Sequence, residues 1–118
     1  DILVRDETTT PIGYVNGHWA NIHKNMFGPA DGLAVISGLG PVVYAPGTIC
    51  QPHTHGAGAE ECWVVLDGAP SLLMGKEIRV LSPGMGFRNP PSGRCPYGPI
   101  NNGLEPVKLF YVGAPQGG

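Results

Sequence analysis

Little of this 118-residue chain is charged: seven Lys and Arg against nine Asp and Glu, 14% in all, for a formal net charge of −2. With so few basic residues and no cluster of them, nucleic acid is excluded as the main partner. No apolar run approaches the roughly 18 residues of a membrane-spanning helix, so no membrane partner is expected. The opening DILVRDETTT has neither an initiator Met nor the charged-then-apolar design of a secretory signal, and reads as a processed or trimmed chain. Cysteine is scarce as well. Cys50, Cys62 and Cys95 form an odd set without a CxxC pair, which points to a reduced, cytoplasmic protein with buried free thiols rather than a disulfide framework. No GxSxG element or glycosylation sequon occurs. Gly38-Leu39-Gly40 and Gly84-Met85-Gly86 lack the third glycine and the following helix of a dinucleotide fingerprint, and read as turns.

What is abundant is punctuation. Nineteen glycines and 13 prolines are spread between short apolar runs such as LAVI, PVVY, CWVVL and KLFYV. The pattern predicts many short strands joined by tight turns: Leu33–Ile36, Val42–Tyr44, residues 48–55 and 61–66, Ser71–Met74, Glu77–Leu81 and Val107–Val112. Asp67-Gly68 between two apolar runs is a hairpin signal. No helix is convincing, so the fold class is all-β, a small sandwich or barrel. One domain is expected: an arm with short strands over residues 1–32, a barrel over 33–113 and a tail over 114–118.

The chemistry concentrates in residues 52–68, PHTHGAGAEECWVVLDG. His53 and His55 are two apart, so on an extended strand both imidazoles face the same way and can share one cation. A third ligand should come from a neighbouring strand. Glu61, Trp63, Val65 and Asp67 share one face of the next strand, and Glu60, Cys62, Val64 and Leu66 the other. Alternation mildly favours the second set as the apolar, inward face, and the pattern alone leaves Glu60 and Glu61 both open.

Gly47, five residues, His53-Thr54-His55, a loop, Glu61, six residues and Gly68 resemble the first motif of the cupin superfamily. Counting back from Gly68 selects Glu61, at the expense of one extra residue in a Gly/Ala loop. Pro91-Ser92-Gly93 and Asn101 resemble the second motif, with Tyr97 standing where that motif has a histidine. The resemblance covers about residues 33–113. It implies a double-stranded β-helix (jelly-roll) barrel with an N-terminal arm, a single divalent transition metal ion (Fe, Mn, Ni, Cu or Zn) on His53, His55 and Glu61, and a homodimer. Tyr97 is then a fourth ligand, a proton carrier or a structural hydroxyl. Trp63 is core packing or a substrate platform. Cys95, two residues from Tyr97, reads as a buried inert thiol, His18 and His23 as arm residues, and Arg88 and Arg94 as surface groups or anion holders.

Three functions fit this set. An open His/His/Glu site suits non-haem iron and dioxygenase chemistry on a small polar metabolite, the reading the missing histidine leans toward. The same ion as a Lewis acid suits an isomerase, lyase or decarboxylase, with Tyr97 or Glu60 moving the proton. A non-catalytic cupin binding a sugar or another metabolite is the third.

Overall fold

The computed structural model describes residues 2–13, 21–50, 52–55, 58–89 and 95–115. Among them are nine strands: β1 (Asn21–His23), β2 (Gly38–Tyr44), β3 (Thr48–Ile49), β4 (Glu60–Asp67), β5 (Ser71–Met74), β6 (Glu77–Val80), β7 (Gly86–Arg88), β8 (Tyr97–Asn101) and β9 (Val107–Ala114). They form two antiparallel sheets, ordered β1-β2-β9-β4-β7 and β3-β8-β5-β6. This is the expected all-β jelly-roll architecture. None of the described helices is long and apolar enough to cross a membrane.

Residues paired across an antiparallel ladder share a face. Val65 lies opposite Leu109 and Trp63 opposite Tyr111, while Val42 and Tyr44 pair with Leu109 and Val107. Val42, Tyr44, Val65, Val107 and Leu109 are all buried, and Leu72 and Tyr97 from the second sheet, with Cys50 and Leu81 just past its strands β3 and β6, complete the core. Each such aliphatic side chain contributes about 1.5–3 kcal/mol on leaving water. The inward face of β4 is therefore Glu61, Trp63 and Val65. Cys62 and Leu66, on the set that looked more apolar in isolation, are exposed. The whole ladder decides which face is buried, not the composition of one strand.

Several local expectations change. Leu33–Ile36 is not a strand, whereas the Gly-Leu-Gly-Pro read as a turn is the first half of β2. Glycine is needed there for close approach: a Cβ on Gly40 would lie 1.8 Å from the Lys24 carbonyl oxygen. β8 was hidden because Gly98 and Pro99 look like breakers. A Cβ at Gly98 would lie 2.5 Å from the Cys50 carbonyl oxygen, and Pro99 still accepts a bond from the Cys50 amide at 3.0 Å. Asp67-Gly68 closes no hairpin; it carries the chain from β4 in one sheet to β5 in the other. Only Cys50 is a buried thiol: Cys62 is exposed and Cys95 half-buried, and all three are free.

Asn101 ties the two sheets together. It is 2% exposed, its Nδ2 donates to the carbonyls of Tyr44 (3.0 Å) and Glu105 (2.8 Å), and its Oδ1 accepts from the Gly103 amide at 3.1 Å. The edge strand β6 is inverted. Glu77 and Arg79 lie opposite Met74 and Leu72 on the inward side, leaving Ile78 and Val80 outward.

Two glycines test the backbone account. Gly47 and Gly68 both have positive φ (78° and 88°), but a Cβ would meet nothing within 4 Å at Gly47 and would lie 2.8 Å from Val107 Cγ2 at Gly68. Gly47→Ala is expected to lower unfolding free energy by about 1 kcal/mol and Gly68→Ala by about 3 kcal/mol, measured in urea. Equal losses would contradict the crowding at Gly68.

Candidate active site

The barrel brings His53, His55, Glu61 and Tyr97 together. His53 and Tyr97 form a two-way backbone bridge, each amide donating to the other's carbonyl at 3.0 Å. The segment 53–55 is a single bridge rather than a regular strand, yet both imidazoles lie against the same phenol. Ring centroids are 5.0 Å apart for His53 and Tyr97, 6.0 Å for His55 and Tyr97, and 5.0 Å, edge-on, for the two histidines.

Glu61 arrives from the opposite sheet and is fixed at both ends. Its backbone is gripped by Asn89, which is 3% exposed: the Asn89 amide donates to the Glu61 carbonyl at 3.1 Å, and the Glu61 amide donates to Asn89 Oδ1. Its carboxylate accepts three bonds. Oε1 receives the Tyr97 hydroxyl and the Trp63 indole N–H (3.1 Å), and Oε2 lies 3.1 Å from His55 Nε2. The His55 Nε2 to Tyr97 hydroxyl distance is 3.0 Å. The phenol has one proton and gives it to Glu61, so the proton between His55 and Tyr97 sits on Nε2. Gly113 lies opposite Glu61; a Cβ there would make ordinary contact with Glu61 Cγ at 3.5 Å and a tight one with Ser37 Oγ at 3.0 Å.

The electrostatics follow from these contacts. Burial alone would push the Glu61 carboxyl up, but hydrogen bonds from His55, Tyr97 and Trp63 and the charge on His55 hold it below the usual range. The bond to Glu61 raises His55 against the opposing effect of burial. Burial first, then the Glu61 charge, raises Tyr97 far above an ordinary phenol, so it is neutral at physiological pH. Cys50, with Sγ 3.8 Å from His53 Nδ1, is pushed up to about 11, mainly by burial, and is an inert thiol. An aromatic row lines one side: Phe87 stacks on Trp63 at 6.0 Å and Trp63 on Tyr111 at 5.1 Å.

Other sequence candidates fall elsewhere. Glu60 is exposed. Cys95, expected to be buried, instead lies half-buried beside the β5–β6 turn, where a Cβ at Gly75 would come 3.3 Å from its sulfur. The His23 ring packs on Tyr111 at 5.1 Å, and Arg88 is exposed on β7. His18, Arg94 and Pro91-Ser92-Gly93 lie outside the described residues. Asn89 and Cys50 were missed. The only signal for Asn89 was its place before two prolines, which reads as a breaker.

Two imidazole nitrogens, a carboxylate and a phenol are donors that suit a first-row transition ion. As the side chains lie, His55, Glu61 and Tyr97 form the close trio and His53 stands beside it. Among the described residues, no three His, Cys, Asp or Glu side chains are grouped as ligands. By donor type the residues suit such an ion, while hydrogen bonds among His55, Glu61 and Tyr97 occupy them as they lie.

Comparison with known proteins gives a consistent picture. A family model described as "Cupin domain" matches residues 41–113. No curated protein matches significantly. Among solved structures, a protein assigned as a sugar phosphate isomerase from Acidithiobacillus ferrooxidans is 25% identical over 80% of this chain, with a TM-score of 0.68; this chain spans 58% of it. The cupin domain of an XRE-family transcriptional regulator from Enterobacter cloacae is 26% identical over 80% of this chain and 95% of its own, at 0.67. A polyketide cyclase from Streptomyces resistomycificus, 21% identical over 98% of this chain and 80% of its own, superposes at 0.81 and shares the fold.

The ion pair sets a pH window in metal-free protein. The His55 pKa is raised above 6.5, so its contribution is complete below that value and fades as pH rises through the folded pKa. Glu61 is lowered below 4.5, so its contribution is complete above that value and fades as pH falls through the lower folded pKa. The Tm difference between wild type and Glu61→Gln should therefore peak between about pH 4.5 and 6.5 and shrink on both sides. A difference independent of pH would contradict the pairing.

Proposed function

The chain belongs to the cupin family, and from that membership we propose that it is an enzyme acting on a small polar metabolite by proton transfer, as an isomerase or lyase does, at the His53, His55, Glu61 and Tyr97 centre. The observation that supports this reading is the buried Tyr97 hydroxyl, hydrogen-bonded to Glu61 and His55 and held neutral. His53, His55 and Glu61 would hold a divalent transition ion, which when bound supplies Lewis-acid polarisation of a substrate oxygen. Tyr97 holds its proton at the hydroxyl oxygen, within reach of the same point, and can lend it to a developing oxyanion or carbanion and recover it afterwards. Trp63 positions Glu61 through its indole N–H. The Phe87, Trp63 and Tyr111 rings form an apolar wall that limits water at the site.

Between the two chemistries left open by the sequence, a phenol hydroxyl hydrogen-bonded to Glu61 and 3.0 Å from His55 Nε2 supports proton transfer over oxygen activation. The likeness to a protein assigned as a sugar phosphate isomerase supports the same class. A second reading, a ligand-sensing module without turnover, is favoured by the likeness to a transcriptional regulator's cupin domain.

Incubation with α-keto acids, 1,3-dicarbonyl compounds and sugar phosphates in D₂O tests the choice. The proposal expects deuterium at a carbon adjacent to a carbonyl in at least one substrate, no oxygen uptake, and a loss of about 100-fold or more in kcat for Tyr97→Phe. Stoichiometric oxygen consumption would establish the oxygenase reading instead. Saturable binding with no exchange or turnover across the panel would favour the sensing module.

A further inference from the structure

The inverted alternation of β6 has a counterpart in the space beside it. A cleft of about 380 Å³ opens between the edge strands β6 and β7, within the size range of small-molecule sites. Leu72, Met74, Leu81 and Phe87 form its apolar wall, and Glu77 and Arg79 reach it from the inward side of β6. The cleft backs onto the Tyr97 centre. Met74 is paired with Tyr97 across the β5–β8 ladder, and the Phe87 ring lies edge-on to the Tyr97 ring at 6.1 Å.

We propose that this cleft holds the substrate, and that the substrate is a small organic monocarboxylate with an apolar body whose charge is taken by Arg79. The proposal rests on the reading of Tyr97 as the reacting centre. Arg79 now faces Glu77 Oε2 at 3.4 Å, and both side chains are largely exposed, 76% and 72%. That distance exceeds the 2.7–2.9 Å of a good charge-assisted bond, and exposed pairs of this kind contribute little. A ligand carboxylate meeting the guanidinium fork with two parallel bonds replaces it readily. Glu77 stays nearby and offsets part of the arginine's charge, which leaves enough for a monoanion and disfavours a dianionic phosphate. Arg88 lines the cleft too, but it pairs with the exposed Cys62 on the outward face of β7. The apolar body lies along Leu72, Met74 and Phe87, the last two of which pack next to Tyr97.

Calorimetric titration of the whole protein with hexanoate, hexanamide and hexyl phosphate tests the assignment. Hexanoate should bind at least about tenfold more tightly than hexanamide, and Arg79→Gln should erase that preference. Glu77→Gln should tighten hexanoate binding severalfold, and Arg88→Gln should change it less than about twofold. Equal affinity for hexanoate and hexanamide, or tighter binding of hexyl phosphate, would overturn the proposal. So would unchanged binding in Arg79→Gln accompanied by self-association, which would make the arginine a guard of the β6 edge. Tyr97→Phe keeps the cleft wall and should still bind hexanoate. If it binds normally while wild type shows no Tyr97-dependent turnover, the catalytic reading falls and the cleft assignment stands; if turnover depends on Tyr97 but hexanoate shows no Arg79-dependent binding, the reverse holds.

Discussion

A one-residue slip of β4 against β9 would exchange the two faces of β4, and with them the chemistry of the protein. In the observed register Val65 lies against Leu109, Trp63 against Tyr111 and Glu61 against Gly113. The first pair builds the core and the second the aromatic wall. The third places a carboxylate at the one ladder position where the opposing residue has no side chain. After a slip that set Glu60 opposite Gly113, Trp63 would turn outward and the carboxylate would lose its indole N–H partner, while Val65 would leave the core. The hydrophobic core and the polar centre therefore depend on the same register. Asn89 pins it from the β7 side, by exchanging hydrogen bonds with the Glu61 backbone.

That coupling explains how a half-buried polar cluster survives inside a small barrel. Each oxygen of Glu61 has a donor, the Tyr97 hydroxyl has an acceptor, and His55 Nε2 has two neighbours. The cluster is satisfied internally, so its desolvation is largely compensated. As the side chains lie, these hydrogen bonds, rather than a shared ion, hold His55, Glu61 and Tyr97 together, with His53 beside them.

The sequence made the centre legible where spacing carries geometry. Two histidines one residue apart, and a glutamate counted back from Gly68, lead to three side chains that the fold does bring to one phenol. It was least informative where long-range packing overrides local pattern. β4 read alone turned the wrong face inward, because Cys62, Val64 and Leu66 are apolar while the partners that select the buried face come from β9. Gly38-Leu39-Gly40 read as a turn because glycine usually marks one, although here it lets Lys24 cross over β2. Asn89 reaches the centre only through a tertiary contact with Glu61, and Cys50 meets His53 from three residues away, with nothing in its residue type to mark it. The inward charges of β6 follow from ladder register, which no window of residues 77–80 reveals.

His53, His55 and Glu61 are proposed to hold one metal ion, with Tyr97 as the proton carrier beside it. Elemental analysis of protein purified without added chelator tests it most directly. The account predicts close to one equivalent of a divalent transition metal per chain, retained in Tyr97→Phe and lost in His53→Ala and in Glu61→Gln. Protein that carries no metal and takes up none on incubation with Fe, Mn, Ni, Cu or Zn, while keeping its fold, would contradict it.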